Sequence, residues 1–169
     1  MRNFRGALQR RTDGSARPEI ARQWLVGSDA EYERFEEFEH TADTGLRVRG
    51  RTFAELCENA AVGAYALIGE ATFRKDELAS RTIEVPCASL EDGLYEWLRA
   101  VLMAFAVHGF FAVAARVVVV EGRVRGTLDG GLFDVGRHVF FTELKAVTRH
   151  GLVVRETRDR FEAEVIFDV

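Results

Sequence analysis

Two acids and a lysine frame the chemistry this chain could do. Asp43 belongs to Glu39-His40-Thr41-Ala42-Asp43-Thr44-Gly45, which packs a carboxylate, an imidazole, hydroxyls and a glycine between two strand-like segments. Asp168 lies in the final run Val165-Ile166-Phe167-Asp168-Val169, one residue from a terminal carboxylate. If the two stretches meet, three anionic groups gather. Charges about 5 Å apart repel by roughly 3 kcal/mol per pair at an effective dielectric of about 20, so such a cluster calls for a cation. Oxygen-only donors suit Ca²⁺, Mg²⁺ or Mn²⁺ better than zinc. A carboxylate at a strand end also serves as a turn former bonded to its own backbone, with Gly45 giving freedom for a tight corner. Spacing alone leaves both readings open. Lys145 reads as an exposed strand lysine guarding a sheet edge, or as half of a surface ion pair with Glu143 two residues away. His40 fits either a partner for Asp43 or a structural position before the turn, and His138 and His150 are expected to be exposed, without a role.

The elements that must position these residues become legible after residue 31. Phe35–His40 and Leu46–Gly50 alternate as strands around the Glu39–Gly45 corner. Thr52-Phe53-Ala54-Glu55 has the form of a capping box, in which a hydroxyl and a carboxylate satisfy free N–H groups at a helix start. Phe53, Leu56, Cys57, Ala60, Ala64, Leu67 and Ile68 follow at helical spacing, one apolar face that belongs to the core. Arg81–Val85 predicts a strand closed by Pro86. Ser89 and Asp92 open a second helix with Leu90, Leu94, Trp97, Leu98, Val101, Leu102 and Phe105 on its face, ended by Gly109. Strands are expected at Ala115–Val120, Arg123–Leu128, Leu144–Thr148, Leu152–Glu156 and Phe161–Val169, with turns at Gly122 and Arg158-Asp159. Residues Asp129–Phe140 read as one long irregular loop. The expected fold is α+β, two amphipathic helices packed with antiparallel β-sheet.

Composition sets the outer bounds. The 169 residues are 47% hydrophobic and 30% charged, enough for one core-bearing domain. Six arginines stand in residues 1–23 against Asp13 and Glu19, leaving the rest with 17 basic and 25 acidic residues. That acidic body argues against holding nucleic acid chiefly by counterion release. Residues 1–30 carry Gly14, Ser15 and Pro18 without sustained periodicity and are expected to form a flexible extension, with 31–169 the folded domain. Cys57 and Cys87 lack the spacing of a metal knuckle and are expected as buried free thiols. Phe110–Val120 is the most apolar run, yet Arg116 interrupts it, so no bilayer span is expected and the cytoplasm is the default location.

Taken together, Glu39-His40-Thr41-Ala42-Asp43, then Phe133-Asp134 with His138, then Glu143-Leu144-Lys145-Ala146-Val147-Thr148, and the final Val165-Ile166-Phe167-Asp168-Val169 resemble archease, over roughly Phe35 to Val169. The motifs stand in the family's order. Thr44 and Phe167 replace the aliphatic residue and the leucine more usual there, and neither change removes a ligand.

The resemblance implies a small accessory protein, not itself an enzyme, that promotes guanylylation and turnover of an RtcB-type ligase joining 3′-phosphate and 5′-hydroxyl RNA ends in tRNA splicing and repair. It implies metal ligands at Asp43, Asp168 and the terminal Val169, with Ca²⁺ the expected ion, and an essential lysine at Lys145. RNA would be met only through the ligase, and no membrane is involved. The contrasting expectations are a phosphohydrolase or nuclease using Asp43 and Asp168 directly, and a chaperone-like module whose acidic body recognises basic partners.

Overall fold

The structure, a computed structural model, describes residues 34–40 and 43–169, the side chains of Glu39 and His40 excepted. The arginine-rich residues 1–30 lie outside the described residues. The elements in order are β1 (Phe35–His40), β2 (Asp43–Gly50), α1 (Phe53–Ile68), β3 (Gly69–Glu70), a 3-10 turn (Lys75–Glu77), β4 (Ala79–Pro86), α2 (Leu90–His108), β5 (Phe110–Val120), β6 (Arg123–Leu132), β7 (Val139–Phe140), β8 (Ala146–Val147), β9 (Val153–Glu156) and β10 (Phe161–Asp168).

Both helices start where capping side chains are available. Thr52 accepts the Glu55 N–H at 3.1 Å, while the Glu55 carboxylate accepts the N–H of Arg51 at 2.7 Å, one residue earlier than in the expected box. Ser89 accepts the Asp92 N–H at 3.1 Å. Gly109 ends α2 in the left-handed region at φ 64°, which a residue with a Cβ adopts only at a cost. Two hydrogen bonds tie the helices together through the core. The fully buried Trp97 donates its indole N–H to the Cys57 carbonyl at 2.9 Å, and the Tyr65 hydroxyl donates to the Val101 carbonyl at 3.0 Å. Truncating a buried tryptophan of this kind costs about 3–5 kcal/mol.

Among the described residues, three antiparallel sheets complete the core. One has the order β4-β6-β5, a second is the short β3-β7 pair, and the third joins β1-β2-β10, with β8 and β9 on the far edge of β10. β8 pairs with Phe167 and Asp168, and β9 with residues Phe161 to Glu164. The β5–β6 turn is Glu121-Gly122, both at positive φ. β5 is an edge strand, and Glu58 of α1 reaches across to accept the Val117 N–H at 2.7 Å.

The α+β architecture of two helices on antiparallel sheet is as expected, and five local expectations change. Gly45 is paired strand, opposite Phe38, rather than a corner residue. His40 pairs directly with Asp43, and residues 41 and 42 between them lie outside the described set. A Cβ on Gly45 would sit 2.3 Å from the Phe38 ring, so the glycine is there to seat that ring. The Asp129–Phe140 loop is half strand: β6 runs to Leu132, and Val139–Phe140 pairs with Gly69–Glu70. β5 already begins at Phe110. The strand expected over Leu144–Thr148 shrinks to Ala146–Val147, so Glu143 and Lys145 share no strand face. Of the two free thiols, Cys57 is buried and its pKa raised by that burial, whereas Cys87 is only partly covered. No described helix is long and apolar enough to cross a membrane.

Candidate metal centre

The outward face of the β2–β10 ladder is built by alternation, since side chains two apart on a strand share a face. Leu46 and Val48 point into the core, so Asp43, Gly45, Arg47 and Arg49 lie on the other side, as do Glu162, Glu164, Ile166 and Asp168 of β10. The register sets Arg49 against Glu162, Arg47 against Glu164 and Gly45 against Ile166. Two residues further on, β2 begins at Asp43 and β10 ends at Asp168.

The rungs differ in charge. Arg47 donates from Nε and Nη2 to Glu164 at 3.0 and 2.9 Å and from Nη1 to Glu36 at 3.0 Å. Arg49 lies 3.9 Å from Glu162. Phe38 covers the next rung, its ring over Gly45 and 5.5 Å below the Arg47 guanidinium. Beyond it come two acids and no arginine. Directly opposed like charges destabilise a sheet by some tenths of a kcal/mol to about 1 kcal/mol.

Lys145 reaches this rim from the other side of β10. Leu144, 4% exposed, anchors the segment in the core, the Lys145 N–H donates to the Asp168 carbonyl at 2.8 Å, and the Thr148 N–H donates to the Ile166 carbonyl at 2.9 Å. The exposed Lys145 ammonium donates to the main-chain oxygen of Val169 at 2.6 Å. The structure thus brings Asp43, Asp168, Val169 and Lys145 to one end of one sheet. Among the described residues, no three His, Cys, Asp or Glu side chains form a group able to hold a metal ion. An ion here needs a main-chain oxygen beside the two carboxylates, and Val169 offers one. The donors are then all hard oxygens, a set that fits calcium or magnesium.

The Phe133-Asp134 and His138 motif lies elsewhere and is structural. His138 is buried at 7% exposure, against the expectation of an exposed side chain. Its Nδ1 accepts the Asp134 N–H at 3.1 Å, so Nε2 carries the proton and faces the Thr72 carbonyl at 3.1 Å. Phe73 and Phe133 pack on the ring at centroid distances of 4.9 and 5.1 Å. Asp134 also accepts the Gly136 N–H at 2.8 Å, closing the turn that delivers β7 to β3. The spacing from Asp134 to His138, one helical turn, was the available signal for this clamp. His150 is exposed as expected.

The model of the Archease protein family (MTH1598/TM1083) matches residues 35–169. The chain belongs to the archease family. Among curated archeases, that of Methanopyrus kandleri is 33% identical over 139 residues, covering 80% of this chain and 99% of its own length. The Archaeoglobus fulgidus archease is 33% identical over 136 residues, 78% of this chain and 96% of its own. Among solved structures, the solution structure of Methanobacterium thermoautotrophicum protein 1598 superposes with a TM-score of 0.63 at 26% identity, covering 80% of this chain and 99% of that one. The crystal structure of the Thermotoga maritima archease, described as a possible chaperone, gives a TM-score of 0.59 at 22% identity over 79% of this chain and 96% of that one, a likeness of fold. The archease match begins at Phe35, the first residue of β1, and runs through Asp168 and Val169.

Proposed function

We propose that this archease-family chain activates an RtcB-type RNA ligase that joins 3′-phosphate to 5′-hydroxyl RNA ends in tRNA splicing and RNA repair, promoting ligase guanylylation and turnover without a turnover of its own. The observation that carries the reading is that the paired strands β2 and β10 begin at Asp43 and end at Asp168 on the same edge, with the Lys145 ammonium on the main-chain oxygen of Val169. Two acids at one edge are costly unless a cation is used there. Asp43 and Asp168 would hold the ion through their side chains and Val169 through its main-chain oxygen, with calcium the expected occupant. When bound, such an ion supplies positive charge against phosphate oxygens. Lys145 adds a compact point cation able to counter the same phosphate charge, a common part for lysine in phosphoryl transfer. The site lies at the end of a sheet, where a partner's active site can receive it.

The experiment is a ligation assay with purified ligase, nucleotide and RNA bearing the two kinds of end, with and without this protein. Faster ligase guanylylation and multiple turnover in its presence are expected, and no reaction by this protein alone. Phosphate release or RNA cleavage without ligase would overturn the activator reading in favour of a hydrolase. Protection of an unfolded ligase without any effect on guanylylation would turn it toward a chaperone.

A further inference from the structure

The rim carries a set of oxygen donors and a lysine. Here they share an atom. The oxygen of Val169 that accepts the Lys145 ammonium at 2.6 Å is one of the donors assigned above to the cation. An ammonium and a divalent ion on one oxygen repel, so binding of the ion weakens the hold of the ammonium.

The kind of contact matters. Arg47 grips Glu164 with two nitrogens, at 3.0 and 2.9 Å, a fork that fixes both side chains. Lys145 makes a single exposed bond from a flexible stem, the sort of ion contact that contributes little and exchanges readily. Its backbone, by contrast, is pinned to the Asp168 carbonyl at 2.8 Å. A fixed backbone with a loosely held head is suited to swing between two positions without moving the sheet.

We propose that Lys145 is the resident counter-ion of the acidic rung and exchanges with the divalent cation. Without the ion, the ammonium holds Val169 and offsets the charge of Asp43 and Asp168. When the ion occupies the carboxylates and the Val169 oxygen, the ammonium is released to solvent, free for the phosphate of a partner. The proposal rests on the cation reading above and adds to it that the lysine is available only in the ion-loaded state.

The sequence provides its own control, since Lys75 and Lys145 are its only lysines. Both can be labelled by reductive methylation with ¹³C and followed by NMR while calcium chloride is titrated into the full chain, in parallel with calorimetry. The Lys145 signal should shift along the calorimetric isotherm and saturate with it, and that of the exposed Lys75 should stay in place. Lys145→Gln should bind calcium about two- to fivefold more tightly, the factor that an exposed ion contact is worth. Removing a nearby positive charge could by itself tighten binding, but it would not move the lysine signal of the unaltered chain. Calcium binding with an unmoved Lys145 signal, or weaker binding by Lys145→Gln, overturns the exchange and leaves the cation site standing. Absence of calcium binding by both calorimetry and thermal shift overturns the cation site and the exchange with it.

Discussion

At the Gly50–Phe161 end of the β2–β10 ladder, Glu162 and Glu164 each face an arginine across the strands, and at the other end β2 starts with Asp43 and β10 finishes with Asp168. Both ends are rims of the same sheet, built by the same alternation and separated by the Phe38–Gly45–Ile166 rung. Opposite charges on a ladder are what cross-strand pairing favours, and their presence needs no explanation beyond stability and solubility. Two acids at one end run against that preference. Local rules broken with only a loosely held counter-charge mark the places where a chain does something other than fold. The comparison separates acids that maintain the sheet from acids that do not, and each can be tested against the other.

The largest effect is expected at the acidic rung. Asp43→Asn or Asp168→Asn should reduce calcium affinity about tenfold or more, since hard-cation affinity follows the charge of the ligand set. Ligase stimulation should fall with it. Without metal, the same variants should be slightly more stable, by some tenths of a kcal/mol to about 1 kcal/mol in urea denaturation, because one of two opposed charges is gone. A loss of metal-free stability would mean that the rung is structural after all.

Appending residues after Val169 comes next, as it adds bulk at that end and turns any terminal carboxylate into a neutral amide. Calcium titration of the extended chain should show an intermediate loss of affinity, and the same tag placed at Met1 none. Equal affinities would leave the two aspartates without their third donor.

Arg47→Met tests the opposite end. It removes the exposed fork on Glu164 and the partly buried contact with Glu36, so the cost should be about 1 kcal/mol and diminish with added salt. Calcium affinity should be unchanged. A fall comparable to that of Asp43→Asn would dissolve the distinction between the two ends.

The smallest effect concerns a paired acid away from the ladder. The Arg137 guanidinium, followed by the Arg74 N–H, holds the Glu77 carboxyl down at about 2. A carboxyl whose folded pKa is depressed contributes stability that is present above its unfolded value, near about 4.3, and lost as pH falls through the folded value. Acid titration of stability should therefore be shallower in Glu77→Gln than in the unaltered chain between about pH 4.3 and 2, and the two should run parallel above that window.

Much of this arrangement could be read from residues alone, for physical reasons. The two helices announce themselves because capping side chains and 3.6-residue apolar stripes are local signals, and the longer strands because alternation is local too. β3 and β7 were hidden because two-residue strands have no period, and β8 was drawn too long because its extent depends on a partner far along the chain. Gly45 misled because a glycine near a turn suggests backbone freedom, whereas its lack of a side chain serves the ring of Phe38 across the ladder. His138 misled similarly, its burial being set by Phe73 and Phe133 on two other segments. Asp43, Asp168 and Lys145 were suspected by chemistry and by resemblance. That Lys145 holds Val169 depends on register, and no spacing in the sequence expresses it.

Glu58 also decides how this molecule behaves in company. β5 ends in Val118, Val119 and Val120, all exposed, on a strand whose outer edge has no neighbouring strand among the described residues. Such an edge is a template on which a second chain can extend the sheet. By occupying the Val117 N–H, the Glu58 carboxylate interrupts the row of donors that an incoming strand would need and places a negative charge beside it. Glu58→Ala should leave the monomer folded but prone to self-association, seen as a light-scattering mass that rises with protein concentration. One helix side chain would thus govern solubility, a property of many molecules together, through a single hydrogen bond within one.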